Sequence, residues 1–184
     1  MLSNTTPAQA QTIRRTFKNH YWAYLVTLVV YGLDQLSKYT IEQTLGPYRS
    51  GKEAVIFGGL TFDYVKNSGA SYNFLRDVPW LFTIIAILAA LGLIAYYYFQ
   101  RVNQFWYQAS IGLILGGIVG NLSDRIFKEG FVTDFIHVSW LPFFNVFNLA
   151  DSAISIGVVI VLLTTLLQTT KTQAAKSDSP AETK

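Results

Sequence analysis

The chain has 184 residues, of which 51% are hydrophobic and only 14% are charged, whereas a typical soluble domain has about 25% charged residues. This composition argues against a free cytosolic protein, and a net charge of +3 without a dense basic stripe argues against a nucleic-acid partner. The chain has no cysteine and only two histidines, which excludes disulfides and thiol nucleophiles and argues against a metal site, so no metal and no cofactor are expected.

The first apolar run begins at Tyr21, directly after a polar segment with three basic residues (residues 1–20). The run continues through Asp34 and Lys38 and contains no small-residue site at which a secretory signal peptide would be cleaved. We therefore expect a cytoplasmic N-terminal segment over residues 1–20 and an uncleaved membrane span over residues 21–41.

The segment over residues 42–78 is punctuated by glycines and contains short β-prone pieces at residues 54–57 and 60–65. Turn residues between short strands are typical of a small sheet rather than of a membrane-crossing segment. We expect this segment to form a β-cradle outside the hydrocarbon core.

Three further apolar runs are each long enough to cross a bilayer, which requires about 20 residues as a helix. They predict membrane helices over residues 79–100, 105–125 and 146–168. The aromatic-rich connection over residues 126–145 favours the membrane interface. A cytoplasmic tail is expected over residues 169–184, and it is expected to be polar and disordered from Lys171. The sequence thus predicts a mainly α-helical, polytopic membrane protein with one domain over residues 1–184. Its expected parts are four transmembrane helices, a small extracytoplasmic β-cradle and a short interfacial segment between helices three and four.

The distribution of basic residues predicts the orientation of these spans. Lys and Arg are denser in the N-terminal segment, the short loop at Arg101 and the tail than in the two longer loops, which carry most of the acidic residues. By the positive-inside rule, both termini are expected in the cytoplasm and both longer loops outside it.

Three glycines, Gly112, Gly116 and Gly120, lie four residues apart on the predicted third helix. Glycines at this spacing create a flat helix face that a neighbouring helix can approach closely. The spacing is compatible with packing within the chain or between two copies.

Nine polar residues occur where an apolar residue would be less costly in a membrane protein, and all map to the predicted external half. An Asp or Lys near the centre of a membrane helix costs about 2.5–3.5 kcal/mol on insertion scales, so each is expected to have a partner, a water-filled cavity or a function. The nine residues are Asp34, Lys38, Asn67, Asn121, Asp124, Arg125, Asp134, Asn148 and Asp151.

Local spacing indicates roles for part of this set. Asp34 and Lys38 lie four residues apart and can form an ion pair on one helix face, which favours a structural or positioning role over direct chemistry. Asn121, Asp124 and Arg125 lie at i, i+3 and i+4, so they share one face of the third helix. The fixed fork of the arginine side chain can hold a carboxylate or a carbonyl group there.

Two close carboxyl groups cannot both ionise, so one holds a proton while the other is charged. Such a pair can hydrolyse a peptide bond, because the charged member takes a proton from water while the protonated member polarises the carbonyl. The candidates are Asp124, Asp134 and Asp151. Arg125 is a local ion-pair partner for Asp124, which favours an ionised, structural Asp124 and leaves Asp134 and Asp151 as the better pair.

Five sequence blocks carry a specific resemblance to a known family. They are D-Q-L-S-K from residue 34, N-S-G-A-S from residue 67, G-G-I-V-G-N-L-S-D-R from residue 116, V-T-D-F-I from residue 132 and F-N-L-A-D-S from residue 147. In this order and spacing the chain resembles lipoprotein signal peptidase, the bacterial type II signal peptidase.

The resemblance implies an intramembrane aspartyl endopeptidase with four transmembrane helices and an external β-cradle. Such enzymes cleave prolipoproteins on the amino side of a cysteine that carries diacylglyceryl, and the inhibitor globomycin is expected to block the site. Membrane lipid is the other expected partner. The implied location is the bacterial cytoplasmic membrane, with the active site near its extracytoplasmic surface. The implied catalytic pair is Asp134 and Asp151. The residues implied to shape the site or contact substrate are Asp34, Lys38, Asn67, Asn121, Asp124, Arg125 and Asn148.

Two departures from the family pattern lie in one exposed loop and its end. The stretch over residues 126–131 is one residue longer than usual, and Thr133 replaces an apolar residue. Loops tolerate such changes in length, so these departures concern the loop rather than the chemistry.

Two other functions compete with the peptidase: a small proton-coupled transporter, and a non-catalytic lipid-binding protein in which the carboxylates only brace helices.

Overall fold

Four helices and three strands form the part of the chain that the computed structural model describes, residues 21–46, 48, 50, 52–69, 79–99, 104–140 and 146–177. The helices are α1 Tyr21–Leu45, α2 Pro79–Phe99, α3 Phe105–Phe127 and α4 Leu149–Ser177. The strands are β1 Glu53–Phe57, β2 Leu60–Asn67 and β3 Val132–Val138. The protein is therefore mainly helical with one small sheet.

Within the described residues, three stretches of helix are long and apolar enough to cross a membrane: Trp80–Phe99, Phe105–Phe127 and Leu149–Leu167. α1 has a sufficient length of 25 residues, but its tyrosines and polar residues, including Asp34 and Lys38, lower its mean hydropathy. Length and apolar composition therefore support three of the four membrane spans expected from the sequence.

α3 is the central helix, since it packs against α1, α2 and α4. Its glycine row faces α1: a Cβ added at Gly112 would lie 2.6 Å from the Ala23 carbonyl oxygen, and one at Gly120 would lie 2.5 Å from Asp34 Oδ2. Gly116, between them, also lies against α1. The predicted glycine face thus packs within the chain, and it lets α1 approach α3 closely enough to bring Asp34 next to α3.

The three strands form an antiparallel sheet in the order β1, β2, β3. At the end of β2, Asn67 lies opposite Val132, the first residue of β3. Phe147 pairs with Ile136 of β3, and both residues donate their backbone N–H to the carbonyl of the other. This pairing places the start of α4 beside β3.

The segment over residues 126–145, which is expected at the membrane interface, contains the strand β3. β3 joins the sheet, and Phe135 within it is buried. The β-branched and aromatic residues of β3 favour a strand. Trp140, just after β3, is exposed, and residues 141–145 lie outside the described residues.

Several helix boundaries also differ from the prediction. α1 extends to Leu45, and α4 begins at Leu149 and continues to Ser177, beyond the expected end at residue 168. The expectation of a disordered tail is therefore wrong for residues 171–177. This stretch is rich in Lys, Gln and Ala, which have high helix propensity, and it contains no glycine or proline.

Two apolar clusters lie near opposite ends of the bundle. One joins the starts of α1 and α3 to the end of α2 through Ala23, Tyr97, Tyr107 and Ile111. The other joins the end of α1 to the sheet through Ile41, Leu45 and Phe135, with Phe62 and Tyr64 packed against them. The second cluster fixes the sheet over the end of the bundle at which the polar residues collect.

Candidate active site

Polar side chains collect at one end of the helix bundle, where α1 and α3 end, α4 begins and β3 passes. The buried members of the predicted set are Asp34, Lys38, Asn121, Asp124, Asp134 and Asn148. The half-buried members are Asn67, Arg125 and Asp151. The structure joins all nine predicted residues in one network of hydrogen bonds and ion pairs.

The Lys38 ammonium group lies at the centre of this network. Its Nζ is 2.8 Å from Asp34 Oδ2 and 3.0 Å from Asp124 Oδ2. It also donates a hydrogen bond to Asn121 Oδ1 at 3.0 Å, so three partners use its three N–H groups. The ion pair predicted between Asp34 and Lys38 is present, and a carboxylate from α3 shares the same cation.

Asp34 also joins α1 to the start of α4. Its Oδ1 accepts the backbone N–H of Ala150 at 3.0 Å, one of the amides in the first helical turn that have no partner within the helix. Gln35 donates from Nε2 to Asp34 Oδ2 at 3.1 Å and to the Gly120 carbonyl at 3.2 Å. Asp34 thereby fixes the N-terminus of α4 against α1 and α3.

Asp151 lies in the first turn of α4, where it forms a capping box with Asn148. Asn148 Oδ1 accepts the backbone N–H of Asp151 at 2.9 Å, and Asp151 Oδ2 accepts the backbone N–H of Asn148 at 3.2 Å. Such reciprocal bonds satisfy two amides that the helix leaves unpaired. The helix dipole at this position favours a negative charge on Asp151.

Asp134 on β3 receives a hydrogen bond on each carboxyl oxygen. Asn148 Nδ2 donates to Oδ1 at 2.6 Å, and Asn67 Nδ2 donates to Oδ2 at 2.7 Å. Asn67 is oriented by its own turn, since its Oδ1 accepts the Gly69 N–H at 2.7 Å. Gly69 has a φ of +83°, which glycine adopts without steric cost.

Two asparagines connect the carboxyl groups of Asp134 and Asp151. Asn148 bonds to both through its side chain and backbone, and Asn121 Nδ2 donates to Asp151 Oδ1 at 2.8 Å. Asn148 Nδ2 also lies 3.0 Å from Asn121 Oδ1. The two carboxyl groups are therefore held by one continuous set of donors that also contacts Lys38.

Burial raises the pKa of Asp134 from its ordinary value of 3.8 to about 7. The charge of Asp151 contributes to this rise, whereas the hydrogen bonds from Asn67 and Asn148 and the charge of Lys38 oppose it. Desolvation and a second carboxylate both disfavour the charged form. Asp134 is therefore suited to hold a proton at neutral pH.

The structure corrects the expected partner of Asp124. Among the described residues, its ion pairs are with Lys38 and Lys128, not with Arg125. Neighbouring residues on a helix point about 100° apart, so the Arg125 side chain points away from Asp124. It donates a hydrogen bond from Nη1 to the Asn121 carbonyl at 3.3 Å. Asp124 still has a structural position, but its cations come from elsewhere.

Three residues that the sequence analysis did not single out as site residues border this network: Glu42, Lys128 and Thr133. Lys128 Nζ lies 2.6 Å from Glu42 Oε1 and 3.0 Å from Asp124 Oδ1. Burial lowers the pKa of Lys128, but Glu42 and Asp124 raise it more, so the net change is upward. The i, i+4 spacing of Asp124 and Lys128 could have indicated this pair, whereas the contact with Glu42 has no local signal.

Comparison with known proteins gives relatives over most of the chain. The sequence model of the family described as signal peptidase (SPase) II matches residues 26–167. A protein of Syntrophomonas wolfei subsp. wolfei named lipoprotein signal peptidase is 40% identical over 147 residues, which cover 80% of this chain and 93% of that protein. One of the same name from Streptococcus pneumoniae is 35% identical over 144 residues, 77% of this chain and 90% of that one.

Two solved structures, both described as bacterial membrane enzymes determined by the in meso method, have a similar fold. The 2.3 Å structure aligns with a TM-score of 0.70 at 27% identity and covers 88% of this chain and 94% of that one. The 1.9 Å structure aligns with a TM-score of 0.69 at 29% identity and covers 78% and 92%.

Proposed function

Because the chain belongs to the signal peptidase II family, we propose that Asp134 and Asp151 are the catalytic pair of an aspartyl endopeptidase. The protein is a peptidase that removes signal peptides from prolipoproteins. Its proposed substrate carries diacylglyceryl on a cysteine, and the hydrolysed bond lies on the amino side of that cysteine. The proposed reaction uses no metal and no cofactor.

The observation that carries this proposal is the side chain of Asn148 between the two aspartates. It donates to Asp134 Oδ1 at 2.6 Å and accepts the Asp151 N–H at 2.9 Å. Asp151 accepts a hydrogen bond from Asn121 at the start of α4, whereas Asp134 is buried and has a raised pKa. This difference in environment assigns separate acid and base roles to two identical groups.

In the proposed reaction, a water molecule attacks the carbonyl carbon of the scissile bond. Asp151 accepts a proton from this water, and Asp134 donates its proton to the carbonyl oxygen. When the tetrahedral intermediate collapses, the C–N bond breaks, the leaving nitrogen receives the proton held by Asp151, and Asp134 regains its proton from the hydroxyl group. Both carboxyl groups return to their starting states.

We also propose that α1 is the fourth span and that the site faces the extracytoplasmic side. The outward face of α1 is apolar and exposed, for example at Leu28 and Leu36, whereas Asp34 and Lys38 point into the bundle.

Since the chain has no cysteine, single cysteines at Lys52 and Arg101 can report the two sides. A membrane-impermeant thiol reagent should label position 52 from outside in intact cells and spare position 101. The opposite labelling would contradict this orientation.

Lipid on the substrate cysteine should control the rate. With purified full chain in detergent, kcat/KM for a diacylglyceryl-modified precursor peptide is expected to exceed that for the same peptide without lipid by at least about 100-fold, since burial of each methylene contributes about 0.8 kcal/mol. Globomycin should abolish cleavage of the lipidated peptide. Equal rates for the two peptides would contradict the proposed substrate class.

Activity should fall as the pH rises above neutral. Asp134 must be protonated to donate to the carbonyl, and with a pKa of about 7 it loses that proton progressively at higher pH. We expect kcat/KM to fall by about tenfold per pH unit well above pH 7, as the alkaline limb of the bell-shaped profile that a pair of carboxyl groups gives. Circular dichroism at each pH controls for unfolding. A flat profile between pH 6 and 9 would contradict the shared-proton mechanism.

A further inference from the structure

A half-buried ion pair lies on the surface side of the active-site network. The side chains of Lys128 and Glu42 are 31% and 25% exposed, whereas Asp124 behind them is fully buried. Lys128 Nζ lies within 3.0 Å of oxygens of both carboxylates and donates to Thr133 Oγ1 at 2.9 Å. One cation thus connects the end of α1, the end of α3 and the start of β3.

Thr133 connects this ion pair to the active site, because it directly precedes Asp134. Its hydroxyl donates to Glu42 Oε1 at 2.6 Å, and its backbone N–H donates to Asp124 Oδ2 at 3.0 Å. Its carbonyl accepts a hydrogen bond from Asn148 Nδ2 at 3.3 Å. The side chain and both backbone polar groups of Thr133 are therefore fixed, and so is the direction in which β3 presents the next residue.

Asp124 links the two cations of the site. Lys38 lies 3.0 Å from its Oδ2 and Lys128 lies 3.0 Å from its Oδ1. With a cation on each side, the carboxylate is held in one orientation, and this orientation directs Oδ2 at the Thr133 N–H. A rotation of Asp124 would release the first hydrogen bond of the segment that carries Asp134.

We propose that Lys128 is a positioning residue for Asp134, acting through Asp124, Glu42 and Thr133 to fix the start of β3. The inference rests on the proposed catalytic role of Asp134. It assigns Lys128 no contact with substrate, so the loss of Lys128 affects the chemical step and leaves substrate binding in place. A misplacement of a reacting group by about 1 Å can lower a rate about 100-fold.

The test compares four forms of the full chain on a diacylglyceryl-modified peptide: wild type, Lys128→Met, Lys128→Arg and Lys52→Met. Lys128→Met should lower kcat about 10- to 100-fold with KM within twofold. Lys128→Arg should recover at least about a third of the wild-type kcat, because it restores a cation that can bridge the two carboxylates. Lys52, an exposed lysine before β1, is the matched control, and its replacement should change neither constant.

Thr133→Val provides a second route that keeps the backbone bond to Asp124 and removes only the hydroxyl group. It should lower kcat several-fold. Combining it with Lys128→Met should lower kcat by less than the product of the two single effects, because both residues act on one unit.

If Lys128→Met does not fold, a folded Thr133→Val with wild-type kcat overturns the inference. So does a folded Lys128→Met whose kcat is within twofold of wild type, or a rise in KM that accounts for its loss of activity. Absence of cleavage by wild type would instead contradict the proposed function on which the inference rests.

Discussion

Replacing Asp134 or Asp151 with asparagine is expected to stop cleavage of a lipidated precursor, with kcat lowered by about 1,000-fold or more. Each carboxyl group transfers a proton in the proposed reaction, and such proton transfers contribute about 10²- to 10⁴-fold. An amide keeps the size of the side chain but can neither accept the proton from water nor donate one to the carbonyl oxygen. The two variants should be equally inactive, since both groups act in the same step.

Binding and folding provide the controls for these variants. Each asparagine variant should still bind the lipidated precursor and unfold at a temperature within a few degrees of wild type. Asp63→Asn, a change at a half-buried carboxylate on β2 away from the network, should keep wild-type kcat. Substantial turnover by either folded active-site variant would exclude the proposed pair.

Replacing Lys38 with methionine is expected to cause the largest loss of stability. Lys38 is 1% exposed and is the cation that Asp34 and Asp124 share. Its removal leaves carboxylates buried without that cation, and breaking a buried ion pair in this way costs about 3–5 kcal/mol. The free energy of unfolding, measured by titration with denaturing detergent, should fall by about this amount.

A double variant separates lost charge balance from lost packing. Asp34→Asn combined with Lys38→Met removes one carboxylate together with the cation. Its loss of unfolding free energy should therefore be smaller than the sum of the losses in the two single variants. Lys52→Met should leave the free energy of unfolding unchanged. Additive losses in the double variant would mean that Lys38 contributes through packing rather than through charge.

The sequence identified the members of the polar network because polar side chains are costly within apolar runs. Asp34 and Lys38 stood out in the first run, and their spacing indicated the ion pair that the structure contains. The capping box of Asn148 and Asp151 follows from local spacing in the same way, since residues three apart meet at a helix start. Local rules of this kind need no knowledge of the fold.

The remaining features depend on contacts between distant parts of the chain. Lys128 and Glu42 are 86 residues apart, and the sequence assigned both only to external loops. The place of β3 in the sheet depends on its pairing with β2, which no local pattern specifies. Residue chemistry alone favoured Asp134 and Asp151 over Asp124 as the pair. It did so from an expected ion pair between Asp124 and Arg125, whereas the cations on Asp124 in the structure are Lys38 and Lys128.

Identifying the bond that the protein cuts is the most direct test of the proposed peptidase function. Purified full chain is incubated with a diacylglyceryl-modified precursor, and the products are identified by mass spectrometry. The proposed reaction gives two products, a signal peptide that ends in a free carboxylate and a polypeptide that begins with the lipidated cysteine. Neither product is expected with Asp134→Asn or Asp151→Asn. Cleavage at another bond, or an intact precursor after long incubation with folded wild-type protein, would contradict the proposed reaction.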